Sequence, residues 1–587
     1  MKTKVIKNIS KTTILFFVVV FLLPRISQAA TVDVVNGQGQ PSCEQVDVQS
    51  AISKAANGDT ISIPAGACTW STPVTINSSS SRTKMVKLIG AGTDATTGTR
   101  ITANAGPGGP LPILNVWLSS SLSGFELSNI RFIQQAEESG DDTETAWLAN
   151  LAGHADDYDS LFKIHDCVFV QKSTSVANSF IIGGTNSYGS SDNGRPYIWG
   201  VFYKNTWTGA LSFQSVDIIP RYDVGSNGSN IMGVNTGNLG HLAWRDWTIA
   251  DHQGTWKNVI FEDCVWSSTN TQPNFAALDA GCGGAFIVRN CVFRNNWIAG
   301  HGPDTLGGAR GAKWAEIYNN EFITDSTSSS TWIMANGFKS GTGVNYNNTY
   351  WDASHKGTGN PKSITGTNNF TSAAVMLTYR RSHGKAYGAP PCQNVSCGDE
   401  TSTTCDNNDI VSDPGKGGIC WDQTGAKRGA NVSGKTLGYT FSQEPVVFWN
   451  NRWADTATKK QPAIYGDDPP TAANVAVYLQ ERRDYILDTS CTSYMGESIC
   501  STFWDNVNNK KKGYVAYDYP HPLRNETPTC TPGDANSDSN INISDVQTCI
   551  NVILGTDTTH QACSDMNSNS TIDITDCQAI INKILNP

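Results

Sequence analysis

A short text of apolar and polar positions recurs eight times along the chain. Each copy closes on an aromatic: Phe132, Phe169, Trp207, Trp266, Phe293, Phe322, Tyr350 or Trp453. Three positions earlier stands Asn129, Asp166, Lys204, Asp263, Asn290, Asn319, Asn347 or Asn450, followed by Ile130, Cys167, Asn205, Cys264, Cys291, Asn320, Asn348 or Asn451. The residue five before the aromatic is apolar (Leu127, Ile164, Phe202, Phe261, Val288, Ile317, Phe448), except for Asn345. The copies closing on Trp266, Phe293, Phe322 and Tyr350 follow one another most tightly, at the period of a solenoid. Runs of β-branched and aromatic residues cut by Gly, Asn and Ser predict strands, because long stretches of helical period are missing here. Asn tolerates the left-handed backbone of a sharp turn. Asn at one register therefore predicts a parallel β-helix, its coils about 4.8 Å apart and its crossovers right-handed. The wider gaps, from Phe132 to Phe169, Phe169 to Trp207, Trp207 to Trp266 and Tyr350 to Trp453, imply inserted loops or missed coils. The longest gap holds Cys392, Cys397, Cys405 and Cys420, and predicts a disulfide-stapled insertion at about 371–445.

Strand alternation then assigns faces. If the residue five before the aromatic enters the core, those four and six before it point to solvent. That predicts an outward stripe of Tyr203, Glu262, Arg289, Tyr318 and Tyr346, with Glu316 in the neighbouring column. Aromatics and charges on a long face suit sugar rings and hydroxyls, so Tyr203, Glu262, Tyr318 and Tyr346 are substrate-binding candidates. The same residues also suit an ordinary surface ion pair on aromatic-rich strands. Cys264 and Cys291 are expected in the core or in a tight turn.

Between the copies ending at Phe293 and Phe322 the text breaks for a Gly-rich loop. Asp279, Arg289, His301, Asp304, Arg310, Lys313 and Glu316 crowd into this stretch, with His252 one coil earlier. Loops leaving a rigid scaffold concentrate function, so this interruption is the expected catalytic region. A polysaccharide lyase needs a base, His301 or Lys313, and a stabiliser of negative charge, Arg289 or Arg310, or a bound cation such as Ca²⁺. A hydrolase needs two carboxyl groups, drawn from Asp279, Asp304 and Glu316. Gly300-His301-Gly302 is similar to the Gly-His-Gly motif of polygalacturonases, although their Asn-Thr-Asp and Arg-Ile-Lys segments are not found.

Near the start, Cys43 to Ile52 predicts a short amphipathic helix, and Asn57 to Gly66 a turn into the first strand. This arrangement resembles the N-terminal cap of secreted pectate-lyase-like β-helix proteins, and the resemblance spans most of residues 31–520.

The C-terminus has a different texture. Asp534, Asn536, Asp538, Asn542 and Asp545 place oxygen side chains at loop positions one, three, five, nine and twelve, with Asn540 at seven. Asp565, Asn567, Asn569, Thr571, Asp573 and Asp576 repeat the set in a second copy. Oxygen ligands at this spacing, with a main-chain carbonyl at seven, suit Ca²⁺. After each loop a helix is predicted with one apolar face: Val546, Ile550, Ile553 and Leu554, then Cys577, Ile581, Ile584 and Leu585. The pair resembles a type I dockerin over about residues 530–587. That resemblance implies two Ca²⁺ sites and a cohesin-like scaffold module as partner, met in part through Ile543-Ser544 and Ile574-Thr575. Ser539 and Ser570 stand where the loop Gly is usual.

Composition sets the compartment. Lys2, Lys4, Lys7 and Lys11 precede an apolar run from Ile14 to Leu23 and small residues at Ser27 and Ala29, a predicted secretory signal peptide over 1–30. No later run is apolar enough to predict a transmembrane segment. Residues 31–587 hold 37 Lys/Arg against 52 Asp/Glu, a charge of −15 that argues against nucleic acid as partner. Export makes disulfides the expected use of the sixteen cysteines. The expected organisation is a β-helix over 31–525, a linker over 526–532 and a Ca²⁺-binding helical unit over 533–587. The expected function is that of a secreted or surface-attached lyase or glycoside hydrolase acting on an extracellular polysaccharide. The alternative is a non-catalytic carbohydrate-binding or adhesive surface protein.

Overall fold

Nearly every strand is parallel to its neighbours, and the long sheets run the length of a stack of coils. In the computed structural model the described residues are 29–78, 81–103, 113–119, 122, 124–134, 148–152, 160–171, 180–183, 198–209, 211, 216–218, 253–256, 258–269, 277–280, 285–300, 314–324, 336–338, 341–352, 375–377, 424–431, 439–453, 464–466, 481–482, 484–488, 491, 498–524, 533–535, 541–554, 564, 566 and 572–585. The expected signal peptide and most of the Cys-rich insertion lie outside them. Three parallel sheets form the body. Sheet 1 has twelve strands, from Thr31–Asp33 to Tyr485–Leu487. Sheet 2 has ten, from Gly66–Trp70 to Arg452–Trp453, and sheet 3 has ten, from Val74–Ile76 to Ile464–Gly466. Each coil contributes one strand to each sheet in turn, which makes the fold a parallel β-helix.

The repeating text is the corner between sheets 1 and 2. All eight residues three before the aromatic have positive φ, between 50° and 58°. At most one further residue separates the two strands, so a left-handed residue is needed to turn the chain. The following position points inward, and where it is Asn it ties coil to coil. Asn205 accepts from Cys167 N–H (3.0 Å) and donates to Ile164 O (2.8 Å). Asn320, Asn348 and Asn451 continue the ladder, each accepting from the backbone N–H of the preceding coil at 2.9–3.0 Å. The exceptional Asn345 belongs to this ladder: its amide oxygen accepts from Asn348 Nδ2 at 3.0 Å. Cys264 and Cys291 occupy the same column as buried free thiols.

Inside the coils the closing aromatics form one continuous stack. Phe169, Trp207, Trp266, Phe293, Phe322 and Tyr350 lie with successive centroids 4.5–5.3 Å apart. The wide sequence gaps are insertions, not missed coils. The copies closing on Trp207 and Trp266 pair directly as Phe202↔Phe261, and those closing on Tyr350 and Trp453 as Tyr346↔Trp449. The expected N-terminal helix is present at Gln45–Lys54, burying Val48, Ala51 and Ile52. Gln49 exchanges two hydrogen bonds with the backbone of Thr75 (2.7 and 3.1 Å), which occupies groups on the first strand of sheet 3. Lys84 Nζ donates to the helix's last carbonyls, of Ile52, Ser53 and Ala55. Cys43–Cys68 fastens the cap to sheet 2.

One large element has no sequence signal. Residues 498–524 form a strap across the outer face of sheet 1, held at its start by the disulfide Cys491–Cys500.

Candidate functional site

The expected outward stripe exists in register but is not open to solvent. Ser128, His165, Tyr203, Glu262, Arg289, Tyr318, Tyr346 and Trp449 face one another across consecutive strands of sheet 1. From Tyr203 onward the strap covers them, and Glu262 and Glu316 are wholly buried, Arg289 all but 1 % so. Arg289 donates to Glu262, to the Tyr318 hydroxyl (2.9 Å) and to the carbonyls of Tyr517 and Asp518. Arg524 from the strap's end joins Glu262 (2.9 Å) and Asp263 (2.7 Å). Burial works to raise the Glu262 pKa, but the charge of Arg289 and hydrogen bonds from Arg524 and Arg289 hold it below the ordinary value. Glu316 lies in the opposite case. Burial raises its pKa despite hydrogen bonds from Tyr514, Gly254 N–H (2.6 Å) and Trp314 Nε1 (2.9 Å).

This network corrects the reading of these residues as a sugar-facing surface. Tyr203, Glu262, Tyr318 and Tyr346, expected to bind substrate, are covered, as are Arg289 and Glu316, expected in catalysis. Alternation identified the outer face correctly, but it carries no information about a distant segment that packs onto that face. Polar atoms of Glu262, Arg289 and Glu316 bond the strap, so the cluster works as a buried fastening.

Beyond the strap's end the same face carries a more open ionic patch. Glu126 lies 3.1 Å from Lys163 and 3.0 Å from His165 Nε2, and His165 Nδ1 is 2.8 Å from Asp166. Burial opposes the charge on His165, yet the hydrogen bonds to Asp166 and Glu126 raise its pKa. Burial likewise opposes the charge on Glu126, but His165 and Lys163 lower its pKa to about 2. Both ring nitrogens of His165 are engaged, which makes it a poor general base. It stacks on Tyr203 at 4.5 Å, and the Arg524 guanidinium lies 4.7 Å from the Tyr203 ring centre.

Sheet 3 holds what the repeating text concealed. The segment expected to be loop contains the strand Ile298–Gly300, and His301 follows it directly. One coil earlier is Leu278–Ala280, and before it Val216–Ile218, giving Asp279 and Asp217 as register partners on adjacent strands. Leu278 and Ala280 are core residues, so position 279 belongs to the outer face, with position 217 beside it. Asp217 was missed, although Val-Asp-Ile at 216–218 and Leu-Asp-Ala at 278–280 have the same apolar-acid-apolar form. Sheet 3 therefore pairs Asp279 with Ala299, two residues before His301 in sequence, and separates it from Arg289 and Glu316 on sheet 1. His301, Asp304, Arg310, Lys313 and His252 lie outside the described residues.

The C-terminal unit is built from two copies. Helices Ile543–Ile553 and Ile574–Leu585 pack through Val546, Cys549, Cys577 and Ile580, and Cys549–Cys577 joins them. Their N-termini match atom for atom. Asn542 Oδ1 accepts from Ser544 N–H and Asp545 from Asn542 N–H, just as Asp573 accepts from Thr575 and Asp576 from Asp573. Asp545 and Asp576 are fully buried, and Asp576 reaches across its loop to Met566 N–H at 2.9 Å. Buried carboxylate oxygens aimed back into an acid-rich loop fit a hard cation. Asp534 and Asn542 are also described, whereas Asn536, Asp538, Asn540, Asp565, Asn567, Asn569 and Thr571 are not. Residues 532–585 match the Dockerin type I domain.

The C-terminal unit is a type I dockerin.

Such dockerins bind Ca²⁺ and attach their carriers to cohesin modules outside the cell. Ile543, Leu554, Ile574 and Leu585 of this dockerin are about 70 % exposed, so its helices do not bury all the apolar residues expected of them. No curated protein matches the chain. Among solved structures, an alginate lyase from Paenibacillus sp. str. FPU-7 has 11% identity and TM-score 0.30, covering 55% of this chain and 97% of its own. Pectin methylesterase PemA from Erwinia chrysanthemi has 8% identity and TM-score 0.22, covering 77% and 95%. No helix among the described residues is long and apolar enough to cross a membrane.

Proposed function

We propose that this is an extracellular polysaccharide-cleaving enzyme of the hydrolase type, attached to a scaffold through its dockerin. The register pair Asp217 and Asp279 carries the reading. Neighbouring strands of a sheet stand about 4.8 Å apart, so rigid backbone holds two acidic residues side by side on one face. Retaining glycosidases use carboxyl groups about 5–5.5 Å apart. In that role one carboxyl group protonates the leaving glycosidic oxygen. The other supports the anomeric carbon or activates the water that ends on it. His301, next in sequence after the strand Ile298–Gly300, is the first candidate for orienting the sugar, with Asp304 and Arg310 close behind it in sequence.

The test is a panel of polysaccharides given to residues 31–587, following reducing ends for hydrolysis and ultraviolet absorbance of unsaturated uronate for a lyase. Hydrolysis that Asp279→Asn and Asp217→Asn each abolish supports the reading. Binding without turnover by the unmodified protein moves it to the non-catalytic class, and unsaturated products move it to the lyases.

A further inference from the structure

The first strand of sheet 1, Thr31–Asp33, lies in register with Thr60–Ser62, and Thr60 N–H donates to the carbonyl of Ala30 at 2.8 Å. At the head of this pairing, Ala30 N–H donates to Asp59 Oδ1, also at 2.8 Å. Asp59 is only 7% exposed, and its Oδ2 accepts from Ala56 N–H at 2.8 Å. Among the described residues, both side-chain partners of Asp59 are thus neutral main-chain amides, whereas a buried carboxylate is held best by a cation. Ala56 follows Ala55, the cap that ends the helix Gln45–Lys54, so the negative end of that helix lies beside the same carboxylate. Lys84 is the charged side chain nearest this corner, and its Nζ is taken up by the carbonyls of Ile52, Ser53 and Ala55. The sequence just before Ala30 is equally specific. After the apolar run Ile14–Leu23, Ser27 and Ala29 put small residues at the third-last and last positions of a leader ending at Ala29. A leader ending one residue later puts the bulkier Gln28 at the third-last position.

We propose that the chain is cut between Ala29 and Ala30 during export, and that the new α-ammonium of Ala30 pairs with the buried carboxylate of Asp59. The cut is a hydrolysis by a leader-removing peptidase. Water adds across the peptide bond, Ala29 leaves with the carboxylate, and the amine of Ala30 takes up a proton. In the uncut chain the Ala30 nitrogen offers Asp59 one neutral N–H. In the cut chain it is a cation with three N–H donors, of which one serves Asp59 and the others meet water, since Ala30 is exposed. A charge-assisted bond is the stronger of the two. The position of the cut matters to one residue. A chain that starts at Thr31 has lost the nitrogen that holds Asp59 Oδ1, and one that starts earlier keeps the weaker amide. Removal of the leader therefore fastens the first strand to the turn that follows the cap helix. The inference shares an extracellular destination with the proposed function and uses neither Asp217 nor Asp279.

The experiment produces the full chain, residues 1–587, in an exporting bacterial host and sequences the N-terminus of the exported protein. Ala30-Thr31-Val32-Asp33 is the expected start. An exported chain that begins at any other residue, or that keeps residues 1–29, overturns the proposal. The ion pair is then read from acylation of the α-amine by a small anhydride across a pH series, with the N-terminal peptide followed by mass spectrometry. Only the neutral amine reacts. A carboxylate partner raises the amine's pKa, whereas burial without a partner lowers it. At pH 7 the exported protein is expected to react roughly three- to tenfold more slowly than Asp59→Asn, the effect of half to one pKa unit. Equal rates overturn the pairing. Should Asp59→Asn fail to fold, the pH midpoint of the unmodified protein decides alone. A midpoint above the ordinary α-amine value of about 7.7–8.0 supports the pair, and one at or below it overturns the pair. Substitution of Asp217 or Asp279, whatever it does to turnover, is expected to leave both readouts unchanged, so the two proposals fail separately.

Discussion

At the residue scale, two buried glutamates on one face of sheet 1 make opposite demands. Glu262 is ionised and held by Arg289 and Arg524. Arg289→Ala removes one cation and leaves a buried charge short of a partner, a change expected to cost about 3–5 kcal/mol. Thermal or denaturant unfolding of the variant measures it, and a loss below about 1 kcal/mol means that water enters the network. Glu316 has a pKa raised by burial, so the folded protein holds its proton at pH values where the unfolded chain has released it. Stability from this group is greatest below the unfolded pKa and declines as pH rises toward the folded one. Glu316→Gln is therefore expected to gain on the parent protein as pH rises above the ordinary glutamate value of about 4. A constant difference in melting temperature across that rise contradicts the assignment.

At the element scale, the strap explains how charged and aromatic residues occupy a covered face. Tyr514 meets Tyr346 and Trp449 in edge-on contacts at 5.8 and 6.0 Å, and Lys511 reaches Glu444 at 2.6 Å. Removing the strap bares the apolar face around Ile287, Val344 and Val447 along with two buried carboxylates. A chain ending at residue 524 is expected to melt within a few degrees of the full β-helix transition. One ending at residue 497 is expected to melt far lower or to aggregate, as scanning calorimetry and light scattering would show. The corner between sheets 1 and 2 was legible in the sequence because one left-handed residue, one inward Asn or Cys and one core aromatic recur at fixed spacing. Sheet 3 was hidden for the converse reason. Its strands are short, and connections of unequal length flank them, so Ile298–Gly300 read as loop and Asp217 went unseen. The strap was hidden because strand alternation reports which face a residue takes, not what a segment far along the chain lays upon it.

At the scale of the whole molecule, the strap also sets where the tether leaves the β-helix. Arg524 is fixed above Tyr203 on sheet 1, and the chain then runs on toward the dockerin. The acid pair belongs to sheet 3, a different face of the stack. Attachment and the proposed substrate contact thus begin on separate faces, and each unit has its own core and its own disulfide. Calcium is expected to stabilise the dockerin, since bringing the loop carboxylates together without a cation is unfavourable. Adding a chelator to the full-length protein is expected to lower the dockerin transition in calorimetry and abolish scaffold binding. The β-helix transition and turnover of a soluble oligosaccharide are expected to stay as they were. Asp534→Ala should reproduce the chelator's effect in part, because it removes one loop oxygen and one charge. If chelation instead lowers the β-helix transition or stops turnover, a cation also serves the sheet 3 site, and the lyase chemistry that needs one returns to the front.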